Sequence, residues 1–381
     1  MRSAENLRVC YFGTYRADYA RNQIMIEGLR RNGITVIECH EPLWHDIADR
    51  VQVASGGWRH PRFWWRLLRT YGRLLQRYAR TDDHDVLVVG YPGQIDIFLA
   101  FLLARLRRKP LVWDIFMSIY LIALERGLDQ RSRFTIGLLR RLEQVACHLP
   151  DRLILDTEQY VAWFHATHGI SAERFRLVPT GADDRVFHPL PRPDSADGVF
   201  HVLYYGTFIP NHGVEHIIEA AHQLADDPTI HFDLIGAGPD RDKAQAQAKR
   251  YQLANVTFTD WLDQASLAAR VARADVCLGA FGTTPQSMMT VQNKIYEGMA
   301  MARPVITGDS PAVRCTLEHG KHIYLCERAD PRSLAEAIRT LRRSPELRDR
   351  IADAGYQMFH ERFDLAHNGG QFAAHLRELV A

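Results

Sequence analysis

Gln292-Asn293-Lys294-Ile295-Tyr296-Glu297-Gly298-Met299-Ala300-Met301-Ala302-Arg303-Pro304-Val305-Ile306-Thr307 is the stretch from which the fold of this chain is read. Ile295, Met299 and Ala302 fall at i, i+4 and i+7, one apolar face of a short helix. Pro304 is expected to end that helix, and Val305-Ile306-Thr307 to resume as a β-branched buried strand before Gly308-Asp309. Glu297 lies in the first turns of the helix, where no packing role asks for a carboxylate. Beside backbone N–H groups, it is well placed to accept hydrogen bonds from ribose or sugar hydroxyls. The competing reading is an ordinary solvated helix residue.

Outward from this stretch, strand-like and helix-like segments alternate along the whole chain. In the first half the strands are read as Val9–Gly13, Thr35–Cys39, Asp85–Val89, Pro110–Trp113, Arg152–Leu155 and Phe175–Val178. Helices at Arg21–Arg31, Ile95–Leu106, Phe134–Cys147 and Tyr160–Thr167 separate them. After a proline-stiffened linker at Pro189–Gly198 the alternation restarts with Phe200–Tyr204, His231–Ile235, Val256–Thr259 and Val276–Ala280 as strands. The tail from Pro331 onward reads as helical. Such βα alternation implies doubly wound parallel sheets. The expected architecture is α/β, two facing Rossmann-like domains with ligands beyond the carboxyl ends of the strands and in the cleft between them.

At 381 residues the chain exceeds one hydrophobic core, and 46% apolar with 24% charged residues is an ordinary globular composition. The six cysteines (Cys10, Cys39, Cys147, Cys277, Cys315, Cys326) form no C-x-x-C pair and read as reduced thiols of a cytoplasmic protein. There is no signal-peptide layout, and the longest apolar run, from Ile95 to Ala104, is about half of the roughly 20 residues a membrane span needs. The formal charge of +2 conceals an asymmetry: residues 1–190 carry 27 Lys and Arg against 21 Asp and Glu, and the remainder 20 against 24. A basic first half suggests an anionic partner there.

Three loops of the second half fall at strand ends. Gly206-Thr207-Phe208-Ile209-Pro210-Asn211-His212-Gly213 can cradle a phosphate with backbone N–H groups. Gly236-Ala237-Gly238-Pro239 follows the next strand, and Thr283–Gln292 precedes the Glu297 helix. In order, these loops resemble the donor half of family 4 glycosyltransferases of the GT-B fold, whose pattern is G-R-L-x-x-x-K-G, then G-x-G-P, then E-x7-E followed by A-M-A-x-G-x-P-V. Pro150–Thr157, Leu177–Asp183 and Phe187–Pro189 resemble the interdomain part of that pattern. The resemblance implies a first domain over 1–188 on the acceptor side and a donor domain over 198–363, with a helix at about 364–381 packing back on the first. It implies a retaining hexosyltransferase that uses a UDP- or GDP-sugar without metal or cofactor, the leaving diphosphate assisting deprotonation of the acceptor.

By the same resemblance, the residues expected to bind donor and nucleotide are Gly13, Gly206, Thr207, His212, Gly236, Gly238, Trp261, Gln292, Asn293, Lys294 and Glu297. Asp114 and Glu297 are the expected catalytic pair. Asp114 ends a strand where relatives place a residue contacting the donor sugar, and a helix N-cap is its equal alternative. Three departures stand out. Thr207 replaces the pattern's arginine, His212 its lysine, and Met289 the first glutamate of E-x7-E. His212, more strongly if protonated, is expected to donate to a diphosphate, and the N-K-x-x-E arrangement at Asn293–Glu297 to supply a replacement cation. Asp83-His84-Asp85 spells D-x-D but sits at the start of a strand, as a solvated edge would.

The segment Trp58–Arg80 carries Arg59, Arg62, Arg66, Arg69, Arg73, Arg77 and Arg80 every three or four residues, with no acid among them. Phe63, Trp64, Leu67, Leu68, Tyr71, Leu74, Leu75 and Tyr78 make the companion apolar stripe. Such a helix lies on an anionic membrane surface, and Arg62, Arg66, Arg69 and Arg73 are the expected contacts to it or to a lipid-linked acceptor. This would make the protein peripheral on the inner face of the cell membrane. The bland alternative is a helix packed on its own domain with solvated arginines. No nucleic-acid recognition motif accompanies the segment. Two other functions stay open: a non-hydrolysing nucleotide-sugar epimerase, and a degenerate GT-B subunit that binds without turnover.

Overall fold

The computed structural model describes residues 7–43, 61–191 and 198–380. Residues 58–60 of the arginine-rich segment and 192–197 of the linker lie outside them. The chain separates into two compact units, Met1–Pro179 with Leu365–Ala381, and Thr180–Asp364.

The first unit runs β1 (Arg8–Gly13), α1 (Ala20–Arg31), β2 (Thr35–His40), α2 (Pro61–Arg80), β3 (Val86–Val89), α3 (Asp96–Arg107) and β4 (Leu111–Asp114). There follow α4 (Ile119–Glu125), α5 (Leu128–Arg131), α6 (Arg133–His148), β5 (Arg152–Leu155), α7 (Glu158–His168) and β6 (Phe175–Leu177). All pairings are parallel, in the order β2-β1-β3-β4-β5-β6. Val86-Leu87-Val88-Val89 is fully buried, as a central parallel strand with both faces covered must be. The step from β1 to β2 runs one way across the sheet and every later step the other way. Right-handed crossovers therefore put α1 on one face and α2, α3, α6 and α7 on the opposite face.

The second unit runs β7 (Phe200–Tyr205), α8 (Val214–Gln223), β8 (Ile230–Ile235), α9 (Arg241–Arg250), β9 (Val256–Thr259), α10 (Gln264–Arg273) and β10 (Val276–Leu278). It continues with α11 (Pro285–Met289), α12 (Asn293–Ala300), β11 (Val305–Gly308), α13 (Pro311–Thr316), β12 (Tyr324–Cys326), α14 (Pro331–Arg343) and α15 (Pro345–Arg362). Its parallel sheet has the order β12-β11-β10-β7-β8-β9, which reverses direction between β7 and β10. Alternate residues of β7 feed separate cores: Val202 and Tyr204 join Phe208, Ile217 and Ile338, while Leu203 and Tyr205 join Ile295, Met299 and Phe359.

The last helix, α16 (Leu365–Arg377), belongs to the first unit and packs on α1. The two cross glycine to glycine: a Cβ on Gly28 would come within 2.9 Å of the Gly369 Cα and of the Leu365 carbonyl. Asn32 fixes the crossing by donating from Nδ2 to the Ala366 carbonyl at 2.8 Å.

The stretch Gln292–Thr307 folds as a helix and a buried strand, but the helix stops sooner than Pro304 requires. It ends at Ala300, Ala302 takes a left-handed φ of +50°, and the Arg303 N–H donates back to the Gly298 carbonyl at 2.9 Å. That is the helix-closing turn usually made by glycine.

Candidate functional site

The place where the second sheet reverses order is where open α/β sheets hold ligands. The loops leaving β7, β8 and β10 meet there backbone to backbone. Gly236 and Gly238, at φ of +130° and +153°, let the β8 turn lie against the carbonyls of Gly206 and Phe208, and a Cβ on either would overlap them. The Phe208 N–H donates to the Ala237 carbonyl at 2.9 Å. Gly206, at φ +141°, is open for a different reason: a Cβ there would come within 2.8 Å of Lys294 Nζ.

Lys294 reaches this loop from the first turn of α12. Its buried ammonium sits 4.3 Å from the centre of the Tyr204 ring and 3.3 Å from His212 Nδ1. Burial drives its pKa down to about 7, with Glu297 pulling the other way. Glu297, one turn further on, is pushed up to about 7 by desolvation, opposed by the Tyr205 hydroxyl and by Lys294. Lys294 thus brings an ammonium against the glycine loop, beside the histidine that stands where the sequence pattern has a lysine.

His212 differs from the expectation of a protonated donor. Its Nδ1 lies 2.6 Å from the Thr207 carbonyl, which can only accept, so Nδ1 carries the hydrogen and points into the loop. Burial and the Lys294 ammonium push its pKa well below the ordinary histidine range. The ring is neutral, and in this tautomer Nε2 is an acceptor that cannot donate to phosphate. Thr207 contributes its carbonyl, which also accepts from the Tyr204 hydroxyl at 3.1 Å.

The segment entering α12 carries polar groups without partners. Thr290 Oγ1, Gln292 Oε1 and Asn293 Nδ2 are buried with no hydrogen bond among the described residues. Buried polar atoms are nearly always satisfied, so three within four residues beside Lys294 make this edge a candidate for ligand contact. Met289, where the E-x7-E pattern has its first acid, is a mostly buried side chain at the end of α11. Trp261 is half-exposed on the loop leaving β9, two strands away from β7.

In the first unit the structure gives Asp114 an occupation other than sugar contact. Its carboxylate is fully buried and takes both forks of the Arg21 guanidinium, at 2.9 and 3.0 Å. Arg21 also donates to the Val178 and Pro179 carbonyls. Asp114 is no helix cap either, since Ser118 caps α4. Gly13 leads into Thr14, whose N–H and hydroxyl donate to the buried Asp96 at 2.7 and 3.0 Å. Tyr71 of α2 donates to the same carboxylate at 2.5 Å. The D-x-D candidate is divided among separate duties: Asp83 pairs with Lys109, Asp85 accepts from the Arg8 N–H, and His84 is buried against Tyr78. Among the described residues no three His, Cys, Asp or Glu side chains cluster as a metal site would require.

On α2 the periodicity splits into two apolar faces. Leu74 and Tyr78 are buried, whereas Trp64 and Trp65 are 50% and 70% exposed, with Leu68 and Leu75 also exposed. Arg62, Arg69 and Arg73 are exposed and Arg66 is half-buried; Arg73 and Arg77 flank Glu41 at 4.0 and 2.6 Å. No helix among the described residues is long and apolar enough to cross a membrane. Sequence reasoning missed Tyr204, Tyr205 and Thr290 at the donor-side loops, and Asp96 and Tyr71 behind Gly13. Tyr204-Tyr205 reads as plain strand, and only the neighbouring lysine reveals its second role.

Comparison with known proteins agrees with this geometry. Residues 8–181 match the family described as "Glycosyl transferase 4-like domain", and residues 199–344 match "Glycosyl transferases group 1". Alpha-D-kanosaminyltransferase of Streptomyces kanamyceticus is 28% identical over 180 residues, 47% of this chain and 45% of the relative. The lipopolysaccharide core biosynthesis glycosyltransferase LpsD of Rhizobium meliloti is 25% identical over 46% of this chain and 49% of its own. The chain thus spans about half the length of the curated relatives it matches. Among solved structures, the sucrose-phosphate synthase of Thermosynechococcus elongatus superposes with a TM-score of 0.73 at 17% identity, over 98% of this chain and 99% of its own. Anabaena HepE in complex with UDP-glucose follows at 0.68 and 17%, over 98% and 100%. With two matching families in tandem and two parallel sheets like those of these structures, the chain belongs to the family 4 glycosyltransferases of the GT-B fold.

Proposed function

We propose that this protein is a retaining hexosyltransferase that moves a sugar from a nucleoside-diphosphate donor to a lipid-linked or cell-surface glycan acceptor. The donor is held by the second unit and the acceptor by the first. One observation carries the reading. A buried ammonium, Lys294, lies against a glycine loop at the sheet's point of reversal and forms no ion pair among the described residues. A desolvated cation that only the partly offsetting Glu297 carboxylate balances, with no direct ion pair, is costly, and a diphosphate seated on the Gly206–Gly213 backbone N–H groups supplies the missing counter-charge. The Thr290, Gln292 and Asn293 groups then meet donor hydroxyls, and Glu297 accepts from a ribose or sugar hydroxyl. The UDP-glucose bound to HepE and the lipopolysaccharide role in the name of LpsD support a UDP-sugar and an envelope glycan. The exposed tryptophans and arginines of α2 support an acceptor presented at a membrane.

In this reaction the bond from the anomeric carbon to the β-phosphate oxygen breaks. The acceptor oxygen bonds to the same face of that carbon, and its proton passes to the departing phosphate. The protein's part is orientation and stabilisation of the charge on the leaving diphosphate, which falls to Lys294 and the loop N–H groups. A thermal-shift screen with UDP-, GDP- and ADP-sugars tests the reading, followed by transfer assays on Glu297→Ala. The expected result is stabilisation by one nucleotide series and a loss of transfer of about tenfold or more in a folded variant, as for a charged hydrogen bond of about 1.5–3 kcal/mol. Unchanged transfer by Glu297→Ala would refute the role given to this carboxylate.

A further inference from the structure

Ten of the thirteen exposed large apolar side chains among the described residues lie on three helices of the first unit. Trp64, Trp65, Leu68 and Leu75 are on α2, Leu102 and Leu106 on α3, and Phe134, Leu138, Leu142 and Val145 on α6. On α6 they recur at i, i+4, i+8 and i+11, a continuous stripe whose first member is 81% exposed. These three helices follow β2, β3 and β4, so right-handed crossovers set them side by side on one face of the sheet. Direct contacts join two of them: Arg107 of α3 donates to the Tyr78 carbonyl at the end of α2 and lies over the Tyr78 ring.

The charge these helices carry is almost all of one sign, and Glu41 offsets only Arg73 and Arg77. Helix α2 carries six arginines, α3 two and α6 three, whereas the three together hold only two acids, Asp96 and Glu143. Both acids are buried and bound inside the unit, Asp96 to Thr14 and Tyr71, Glu143 to Ser118, the Ile119 N–H and His168. The outer surface therefore alternates apolar side chains with guanidinium groups and presents no carboxylate from these helices. We propose that α2, α3 and α6 form a single docking face for an anionic phospholipid bilayer, with the three helices lying in the interfacial plane. This rests on the membrane-side acceptor reading and widens it from one helix to a whole domain face. Charge complementarity selects the occupant. A second copy of the chain applied face to face would set arginine rows against arginine rows, whereas anionic headgroups meet the guanidinium groups and acyl chains the apolar stripes. The face is tied to the Gly13–Thr14 turn at the end of β1, because Tyr71 and Thr14 share Asp96.

The test is flotation of the full chain with phosphatidylglycerol-containing and pure phosphatidylcholine vesicles at about 0.1 M salt. The wild type should partition about tenfold or more in favour of the anionic vesicles. The variant Phe134→Ser/Leu138→Gln/Leu142→Gln, which leaves α2 intact, should lose about tenfold of that partition, and Leu102→Gln/Leu106→Gln a smaller part. The UDP-dependent thermal shift of each variant, kept at the wild-type value, establishes that the fold and donor half are intact. Loss of vesicle binding then reports on the face alone, and absence of a nucleotide shift in the wild type counts against the transferase reading alone. Wild-type partition by the α6 variant, equal binding to neutral vesicles, or lipid-free dimerisation abolished by the α6 variant would each overturn the proposal.

Discussion

Lys294 meets His212 from 82 residues further along the chain, and the desolvation holding its pKa at about 7 makes the site sensitive to pH. A lysine depressed to that level is charged below pH 7 and loses its proton as pH rises. A diphosphate selects the charged form, so donor affinity is expected to weaken from pH 6.5 to 8.5. Above pH 7 binding takes up a proton, which titration calorimetry reads as a buffer-dependent enthalpy. Lys294→Arg should flatten the alkaline limb, and Lys294→Met should weaken UDP binding by about tenfold or more below pH 7, where the lysine is charged, and by less at pH 8.5, a lost charged hydrogen bond. Affinity unchanged across that range would remove Lys294 from the diphosphate. Ala302 offers an independent test of backbone physics, since an L-residue at φ +50° carries about 1–2 kcal/mol of left-handed strain. Ala302→Gly relieves it and gives part back as unfolded-chain entropy, for a net gain of about 0.5–1 kcal/mol in urea denaturation. What sequence could not supply at this scale was partnership. Asp114 looked like a sugar ligand because Arg21, which occupies it, lies 93 residues earlier, and His212 looked like a donor because its carbonyl partner is invisible to spacing.

Among the elements, those legible in advance were the ones whose physics is local. β3 and β10 are continuous apolar runs, and β7 departs from one only at His201, because parallel strands are covered on both faces, and α14 announces itself by amphipathic period and an Asp330 cap. The elements that escaped were short: α4, α5, α11 and α13 have at most seven residues, and β12 has three. Too few periods exist in such segments for a pattern to rise above composition. The crossing of α1 and α16 was legible only as a helix near 364–381, because the pairing of Gly28 with Gly369 joins opposite ends of the chain. That crossing is expected to be intolerant of side chains. Gly369→Val must push the helices apart at a backbone-to-backbone contact, an overpacking cost of about 1–3 kcal/mol. Hydrogen exchange should register it as faster exchange throughout α1 and α16, with the second unit unchanged. Exchange confined to the last turn of α16 would mean that the contact is not a packing constraint.

For the molecule as a whole, the proposed donor and membrane roles fall to two separately cored units, and this division is itself measurable. The Gly206–Gly213 loop, Lys294, Glu297 and the unpartnered polar groups beside them all belong to Thr180–Asp364. Nucleotide alone should therefore stabilise that unit. At about 100 times its dissociation constant, UDP contributes roughly 2.7 kcal/mol, a shift of about 5–10 °C for a unit of this size. Hydrogen exchange with UDP should slow in peptides spanning Gly206–Gly213, Gly236–Gly238 and Thr290–Glu297. Peptides from α2, α3 and α6 should respond instead to anionic vesicles. Each response depends on its own residues: at UDP near the wild-type dissociation constant Lys294→Met should shrink the nucleotide footprint and keep the vesicle footprint, and the α6 variant should shrink the vesicle footprint and keep the nucleotide one. Protection by UDP confined to peptides of the first unit would place the nucleotide away from Lys294, and the donor assignment of the second unit would fall with it.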